Sequence, residues 1–144
     1  MNIELAIKDG INILKNKRID SAKLDAEILM AKALKKDRKY IFLNNNYELE
    51  SKNLEYFNDL IKQRSNYKPI AHLINKKSFW KNEFFVNKNA LIPRPDTEVL
   101  VEHVLKLTKH KNVMNILDIG VGSGCILLSI LKERKNFYGT GLDI

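Results

Sequence analysis

The sequence predicts an α/β protein: an N-terminal helical bundle, a β-hairpin linker and the start of a parallel, doubly wound sheet. Apolar residues recur at steps of three and four through residues 1–68, which is the period of a helix buried on one face. Short apolar and aromatic runs separated by turns follow in residues 69–92. Residues 93–144 hold a helix pattern and then a strand, a glycine-rich turn, a helix and a second strand.

The first segment contains three predicted long helices and one short helix. The first begins near Ile3, the second is capped by Asp20 or Ser21, the short one covers residues 37–43 and the last covers residues 51–64. A run of asparagines before the last helix predicts a turn. The residues expected to face inward are Ile3, Ile7, Ile11, Leu14, Leu24, Ile28, Ala31, Leu34, Leu54, Phe57, Leu60 and Ile61.

The second segment begins at Pro69, which we expect to close the bundle because proline has no N–H and restrains the residue before it. Apolar or aromatic runs at 70–74, 79–80, 84–86 and 90–92 are separated by Asn- and Lys-rich turns. That rhythm is typical of strands in a hairpin. We therefore expect residues 69–92 to form a β-rich linker between two domains.

The third segment begins with two prolines that stiffen the chain before a helix. Asp96 or Thr97 is placed to cap this helix, which runs to about Lys109. Its apolar face is expected to comprise Leu100, Val101, Val104, Leu105 and Leu107. An apolar run at 113–119 predicts a buried strand, and residues 137–143 predict a second strand after an intervening helix.

Composition is that of an ordinary soluble protein, with 44% hydrophobic and 29% charged residues. No apolar run reaches the roughly 20 residues of a membrane helix, and the N-terminus does not resemble a secretory signal. The single cysteine, Cys125, predicts a reducing compartment, so we expect a cytoplasmic protein. The net charge of +8 is divided evenly between the two halves. It is compatible with a solvated basic surface and also with weak contact to RNA.

The glycine-rich turn predicts a ligand of the nucleotide type. Gly120, Gly122 and Gly124 alternate directly after the strand, and a helix N-terminus follows them. Asp118 would repel a pyrophosphate but attract a cation, and S-adenosylmethionine carries an ammonium and a sulfonium and no phosphate. Asp143, at the end of the second strand, is placed to accept hydrogen bonds from two ribose hydroxyls. The pattern therefore favours S-adenosylmethionine.

The glycine-rich turn could also bind a dinucleotide, or it could have a purely structural role and bind no ligand. A phosphate-binding P-loop is excluded, because no Gly-Lys-Ser/Thr sequence is present. His72, His103 and His110 are scattered without a cysteine or carboxylate at metal-ligand spacing, so no metal site is predicted.

The whole chain resembles the release factor glutamine methyltransferases, the PrmC/HemK family. The motifs that carry the resemblance are L-D-A-E-I-L-M-A at 24–31, K-P-I-A-H-L-I at 68–74, F-W at 79–80 with the F-F-V that follows, L-I-P-R-P-D-T-E at 91–98 and I-L-D-I-G-V-G-S-G at 116–124. The proline-flanked stretch is the most specific of these. Val121 stands where the family often has Thr, and Asn75 where it often has Gly.

The resemblance implies a helical domain at 1–68 that binds the release factor, a hairpin linker at 69–92 and the first part of a Rossmann-like, S-adenosylmethionine-dependent methyltransferase domain at 93–144. It implies methylation of the glutamine amide in the Gly-Gly-Gln loop of class I peptide release factors, during translation termination. Carried over by position, the cofactor site would comprise Gly120, Val121, Gly122, Ser123, Gly124 and Asp143, with Asp118 beside them and Thr97 in the stretch that borders the site.

The family's Asn-Pro-Pro-Tyr motif, which grips the glutamine amide, belongs to a later strand and is not found in residues 1–144. We therefore expect no catalytic residue in this chain and no activity of the chain alone. Two alternative functions are an adenine-N6 methyltransferase acting on DNA or RNA and a non-catalytic release-factor-binding module. We also expect a monomer without membrane attachment.

Overall fold

Helices dominate the first half of the molecule, and two small sheets lie in the second half. The computed structural model describes all of residues 1–144 and divides into two compact units, Met1–Ile74 and Asn75–Ile144. The first unit is entirely helical apart from one isolated β-bridge between Asn2 and Glu48. None of the helices combines the length and the apolar character that crossing a membrane requires.

Five helices make up the first unit. They are α1 (Ile3–Asn16), α2 (Ala22–Leu34), α3 (Arg38–Leu43), α4 (Ser51–Ser65) and α5 (Ile70–Ile74). The side chains of Asn2 and Asp37 cap α1 and α3 by accepting backbone N–H groups of the first turn. Ile3, Leu14 and Phe57 are fully or almost fully buried, as the helical spacing predicts. The predicted helices α1 to α4 are therefore confirmed.

The predicted apolar stripe of α2 is wrong in part. Leu24 is 45% exposed, whereas Leu29 and Met30 are completely buried. The reason is that α2 contacts α1, α3, α4 and α5, so most of its circumference is covered and no single stripe marks its inner side.

Two acidic residues of α2 are buried together with arginine partners. Asp25 Oδ2 accepts a hydrogen bond from Arg64 Nε of α4 at 2.7 Å and another from the Ser21 hydroxyl at 2.8 Å. Glu27 Oε2 accepts a 2.6 Å hydrogen bond from Arg38 of α3. These pairs tie α2 to two neighbouring helices, and they explain why charged residues occupy buried positions.

Residues 70–74 form a helix and not the predicted strand. The Pro69 carbonyl accepts the first hydrogen bonds of α5, from the N–H groups of His72 and Leu73. Proline has a φ angle that suits the start of a helix, so it begins α5 here and does not end the bundle. Leu73 is buried in the core of the first unit. The helical unit therefore extends to Ile74, beyond the predicted boundary at residue 68.

The second unit begins with an antiparallel hairpin of β1 (Lys76–Phe79) and β2 (Asn82–Phe85). Phe79 pairs with Asn82, so the turn consists of two residues, Trp80 and Lys81. The hairpin is confirmed, but residues 90–92 form no strand. The loop that holds them leads to a 3₁₀ turn at Pro95–Thr97.

The rest of the second unit contains α6 (Glu98–Leu107), β3 (Met114–Ile119), α7 (Cys125–Glu133) and β4 (Phe137–Leu142). The two strands are parallel and pair Met114 with Phe137 through Ile119 with Leu142. The predicted order of strand, glycine turn, helix and strand is therefore confirmed. This order is consistent with the start of a doubly wound sheet, and the parallel sheet described here consists of the two strands β3 and β4.

The first parallel strand is less buried than predicted, because one face is partly buried and the other is exposed. Burial alternates along β3, with Leu117 57% and Ile119 78% exposed. Leu100 and Leu107 of α6 are likewise exposed, at 49% and 82%. An uninterrupted apolar run cannot show whether both faces of a strand are covered, which explains the error.

Candidate functional site: the glycine loop

The loop between β3 and α7, residues 120–124, has the backbone that its glycines predict. Gly120, Gly122 and Gly124 have φ angles of 79°, 53° and 75°, in the left-handed region that favours glycine. A Cβ atom on Gly120 would meet nothing within 4 Å. The loop therefore presents bare backbone beside open space, which is the condition for a ligand to lie against the main chain.

The end of β4 holds this loop in place. The N–H groups of Gly120 and Val121 donate to the carbonyl of Leu142, at 2.8 and 3.0 Å. Within the loop, the Gly124 N–H donates to the Val121 carbonyl at 2.8 Å. Gly124 then occupies the N-cap of α7, so the N-terminus of that helix follows the loop directly.

Asp143 lies against the loop. Its Oδ2 accepts a 2.7 Å hydrogen bond from the Gly122 N–H, and its Oδ1 accepts a 3.0 Å bond from the Ile144 N–H. A carboxylate has about four lone-pair positions, so capacity remains for two further donors. The sequence spacing places Asp143 near the loop, but it does not indicate a direct bond between the two.

Asp118 is the second acidic residue at the loop. It is the fifth residue of β3, and its Oδ2 is buried without a hydrogen-bond partner. A buried carboxylate oxygen is normally satisfied by a donor or a cation. Asp118 therefore provides an unfilled acceptor two residues before the first glycine of the loop.

Thr97 and Ser123, the remaining predicted site residues, lie in different places. Ser123 belongs to the loop itself, whereas Thr97 is the N-cap residue of α6 and its side chain makes no capping hydrogen bond. The strand, the loop and Asp143 are thus joined by hydrogen bonds, and Thr97 is not part of that network.

Two glycines of β4 also shape the site, although they are not among the predicted site residues. A Cβ atom on Gly141 would lie 2.9 Å from Val121 Cγ2, and one on Gly139 would lie 2.7 Å from Leu127 Cδ1. Both glycines therefore allow close approach, of the loop and of α7 respectively. The sequence does contain a signal for these two positions, because glycine within a predicted strand often marks the close approach of a neighbouring part of the chain.

The polar contacts around Trp80 were not predicted either. Trp80 has a φ angle of 55°, which is unusual for a large side chain. Its backbone N–H donates to Glu98 Oε1 at 2.8 Å, and its indole N–H donates to Glu133 Oε1 at 2.9 Å. Lys81 Nζ donates to the same Glu133 oxygen at 2.7 Å. These bonds fix the turn of the hairpin to α6 and α7, the helices that flank β3.

The hydrogen bonds that Glu133 accepts also shift the pKa of its carboxyl group. The Lys81 ammonium, and after it the Trp80 indole, lower the pKa of the Glu133 carboxyl below its usual value of 4.5. Glu133 is therefore ionised at neutral pH, as the bonds to Lys81 and Trp80 require.

Comparison with known proteins identifies the helical unit. Residues 6–74 match the family model of the PrmC N-terminal domain. The match ends at Ile74, which is also the last residue of the first compact unit.

Curated relatives match both units. The chain is 40% identical over 130 residues to the release factor glutamine methyltransferase of Caulobacter vibrioides, covering 90% of this chain and 45% of that protein. It is 42% identical over 139 residues to the protein of the same name from Leptospira interrogans, covering 96% and 49%. A third protein of that name, from Buchnera aphidicola subsp. Acyrthosiphon pisum, is 38% identical over 143 residues, covering 99% and 50%.

The chain thus spans about half the length of the curated relatives that it matches. The resemblance inferred from the sequence motifs is confirmed. Residues 6–74 are thus similar to the PrmC N-terminal domain, and the chain as a whole is similar in sequence to the N-terminal half of the release factor glutamine methyltransferases.

Proposed function

We propose that this chain forms the substrate-docking domain and the cofactor loop of a methyltransferase that acts on the glutamine of class I peptide release factors. The observation that carries the proposal is a sequence match of about 40% identity that covers both units and includes the glycine loop. The relatives are named for methylation of a release factor at glutamine. Methyl transfer requires that the release factor and the methyl donor are both bound, and the helical domain and the glycine loop would bind them.

S-adenosylmethionine is the cofactor that the loop fits best. Residues 120–124 would hold it against bare backbone, and Asp118 would supply a carboxylate for its positive charge. Asp143 would accept hydrogen bonds from the ribose while still bonded to the Gly122 N–H. When bound, this cofactor supplies an electrophilic methyl group on a positively charged sulfur. Thr97 would border the site from the start of α6.

The buried, unpartnered oxygen of Asp118 supports this cofactor over a dinucleotide. A pyrophosphate at the loop would bring two negative charges close to that oxygen, which has no donor to neutralise it. A glycine turn without a ligand would leave the same oxygen buried and unsatisfied, at a cost of about 1–3 kcal/mol. A cationic ligand would pair with this oxygen. It would therefore avoid both the repulsion expected for a pyrophosphate and the cost of an unsatisfied oxygen in an empty turn.

The residues that present the glutamine amide are expected outside this chain. An amide nitrogen is a weak nucleophile, so hydrogen-bond acceptors must orient it toward the methyl group. The Asn-Pro-Pro-Tyr motif that would do so is not in residues 1–144. We therefore expect the chain alone to transfer no methyl group.

The remaining features of the proposal concern the partner and the cellular setting. The helical domain would bind the release factor, and the protein would act as a cytoplasmic monomer. Weak RNA contact is compatible with the net charge of +8. An adenine-N6 methyltransferase is the weaker candidate, because the relatives are named for a protein substrate.

A chimera tests the proposal. Residues 1–144 would replace the matching half of the Leptospira interrogans relative, and transfer of radiolabelled methyl to a class I release factor would be measured. We expect label in the factor and none in a factor whose target glutamine is replaced by alanine. A chimera that folds and binds the factor but transfers no label, while the parent relative does, would contradict the proposal.

A further inference from the structure

A basic surface lies at the amino ends of the two parallel strands, on the opposite edge of the sheet from the glycine loop. Met114 pairs with Phe137 where β3 and β4 begin, so the connections that lead into the two strands, 108–113 and 134–136, run side by side about 5 Å apart. Five cations lie on these connections or in the last turn of α7, namely Lys109, Lys111, Lys132, Arg134 and Lys135. We refer to them as the amino-edge cations.

The two connections are also joined through a side chain. Arg134 Nη2 donates a 2.9 Å hydrogen bond to the carbonyl of Leu105, which lies in the last turn of α6 and one turn before Lys109. The four lysines of the set are all exposed to solvent. The amino-edge cations therefore form one surface and not two separate ones.

The acidic residues beside this surface are already paired with other cations. Glu102 is bound to Lys106 and Glu133 to Lys81, each at 2.7 Å, and neither of these lysines belongs to the set. None of the amino-edge cations is within ion-pair distance of a carboxylate. The other acids of the second unit lie elsewhere: Glu83 on β2, Asp96 and Glu98 at the start of α6, and Asp118 and Asp143 at the glycine loop. The charge of this surface is therefore positive and uncompensated.

Helix dipoles explain only part of this charge. Lys132 lies in the last turn of α7, where the helix carbonyls favour a cation, but that effect falls off within the turn. Lys109, Lys111 and Lys135 lie beyond the ends of their helices. These three lysines repel one another, and an anionic partner would relieve the repulsion. The even distribution of charge between the two halves of the sequence conceals the cluster.

The residue types of the surface favour a phosphate backbone over a protein partner. Lysine is depleted at the centre of protein–protein interfaces, where aromatic side chains are enriched, and the exposed apolar residues next to the cations are aliphatic, Leu107 and Val113. Stacking of unpaired bases also needs aromatic rings. Double-stranded RNA is recognised mainly through its phosphates and 2′-hydroxyls, and flexible lysine side chains bind phosphates as point charges.

We propose that the amino-edge cations bind the phosphate backbone of double-stranded RNA. The choice of RNA over DNA rests on the proposed function, because release factors act in translation, whereas the surface itself does not depend on it. Since the surface lies at the edge of the sheet opposite to the glycine loop, bound RNA would leave the cofactor site open.

Fluorescence anisotropy of a labelled RNA duplex tests the proposal, with the chain titrated at about 50 mM and about 200 mM salt. The affinity of the wild type should fall at least about 30-fold between the two, because each neutralised phosphate releases a counterion. The triple variant Lys109→Ala/Lys111→Ala/Lys135→Ala should bind at least about tenfold more weakly at the lower salt and show a shallower salt dependence. The matched control, Lys8→Ala/Lys52→Ala/Lys88→Ala, removes the same charge at exposed positions outside the two connections and should stay within about threefold of the wild type.

Circular dichroism verifies that both triple variants fold. Failure of the wild type to bind the RNA duplex, or equal binding by the wild type and Lys109→Ala/Lys111→Ala/Lys135→Ala, would overturn the proposal. So would tighter binding of the same duplex made of DNA, or of vesicles rich in anionic phospholipid. The methylation chimera separates this result from the proposed function. If the chimera methylates the release factor but the chain binds no RNA, the surface proposal is wrong and the proposed function stands.

Discussion

The two units bury their apolar residues in different ways. In the first unit α2 is covered on most sides, and even its acidic residues Asp25 and Glu27 are buried with arginine partners. In the second unit α7 covers one face of the sheet, and the other face exposes Leu117 and Ile119. A helical bundle completes its own burial by packing helix on helix, whereas a parallel sheet needs cover on both faces. Helix packing therefore gives a closed core in the first unit, whereas the two-stranded parallel sheet leaves an open face in the second.

The largest expected effect is in the first unit, where Arg64→Met leaves Asp25 buried with only a serine partner. The Asp25 and Arg64 side chains are 4% and 16% exposed, so solvent cannot replace the lost cation. Breaking a buried pair in this way costs about 3–5 kcal/mol of unfolding free energy. Chemical denaturation followed by circular dichroism measures it.

Lys62→Met on the same helix is the control, because Lys62 is exposed and we expect a change within about 0.5 kcal/mol. If Arg64→Met were as mild as the control, Asp25 would be accessible to water and the closed core of the first unit would be a wrong description.

The two units also differ in the type of residue that occupies a left-handed backbone conformation at a helix end. Gly124 has a φ angle of 75° at the N-cap of α7, and a Cβ atom there would lie 3.1 Å from Leu128. We expect Gly124→Ala to destabilise the second unit by about 1–2 kcal/mol. Lys35 in the first unit has a φ angle of 54° after α2, so Lys35→Gly should be stabilising by up to about 1 kcal/mol.

Thermal unfolding of both variants measures these opposite shifts. A stabilising effect of Gly124→Ala would show that the loop does not keep its left-handed conformation in solution. The prediction for the glycine loop as a ligand site would then lose its structural basis.

A smaller effect is expected from the pH dependence of the Trp80 contacts. The pKa of Glu133 is lowered in the folded state, so its stabilising contribution is fully present above about pH 4.5 and is lost as the pH falls through the lowered value. Trp80 is the single tryptophan of the chain, and its fluorescence should change over that acid range. Glu133→Gln should remove the change at Trp80.

Glu102→Gln is a matched control for the fluorescence. Lys106 lowers the pKa of Glu102 in the same direction, but this pair lies on α6 and makes no hydrogen bond to Trp80. An unchanged acid transition in Glu133→Gln would show that another carboxyl controls the hairpin turn.

Local sequence signals predicted most of the fold. Helical spacing located α1 and α4, and the glycine pattern located the turn between β3 and α7, because each signal depends on residues close in the chain. Pro69 led to the wrong prediction that the bundle ends at residue 68. Proline can end one helix or begin another, and only the burial of Leu73 decides between the two. The alternating exposure of β3 depends on what covers the sheet, which a single strand does not encode.

For the candidate site, the sequence predicted which residues lie near one another but not how they are hydrogen-bonded. Spacing placed Asp118 and Asp143 beside the glycines, but not the bond from the Gly122 N–H to Asp143 or the unpartnered oxygen of Asp118. Contacts of Trp80 with Glu98 and Glu133 join residues 18 and 53 positions apart, and no local pattern marks such pairs.

The smallest expected effect tests the open face directly. Ile116 and Ile119 lie on opposite faces of β3, and Ile116 packs against the core of the second unit whereas Ile119 is 78% exposed. Ile119→Thr should therefore change the unfolding free energy by less than about 0.5 kcal/mol, and Ile116→Thr should cost about 1–3 kcal/mol because it places a hydroxyl in the core. Because threonine is a good strand former, the difference between the two variants reports burial and not strand propensity. Equal costs for the two variants would mean that the second face is covered in solution, and the contrast between the closed and the open unit would disappear.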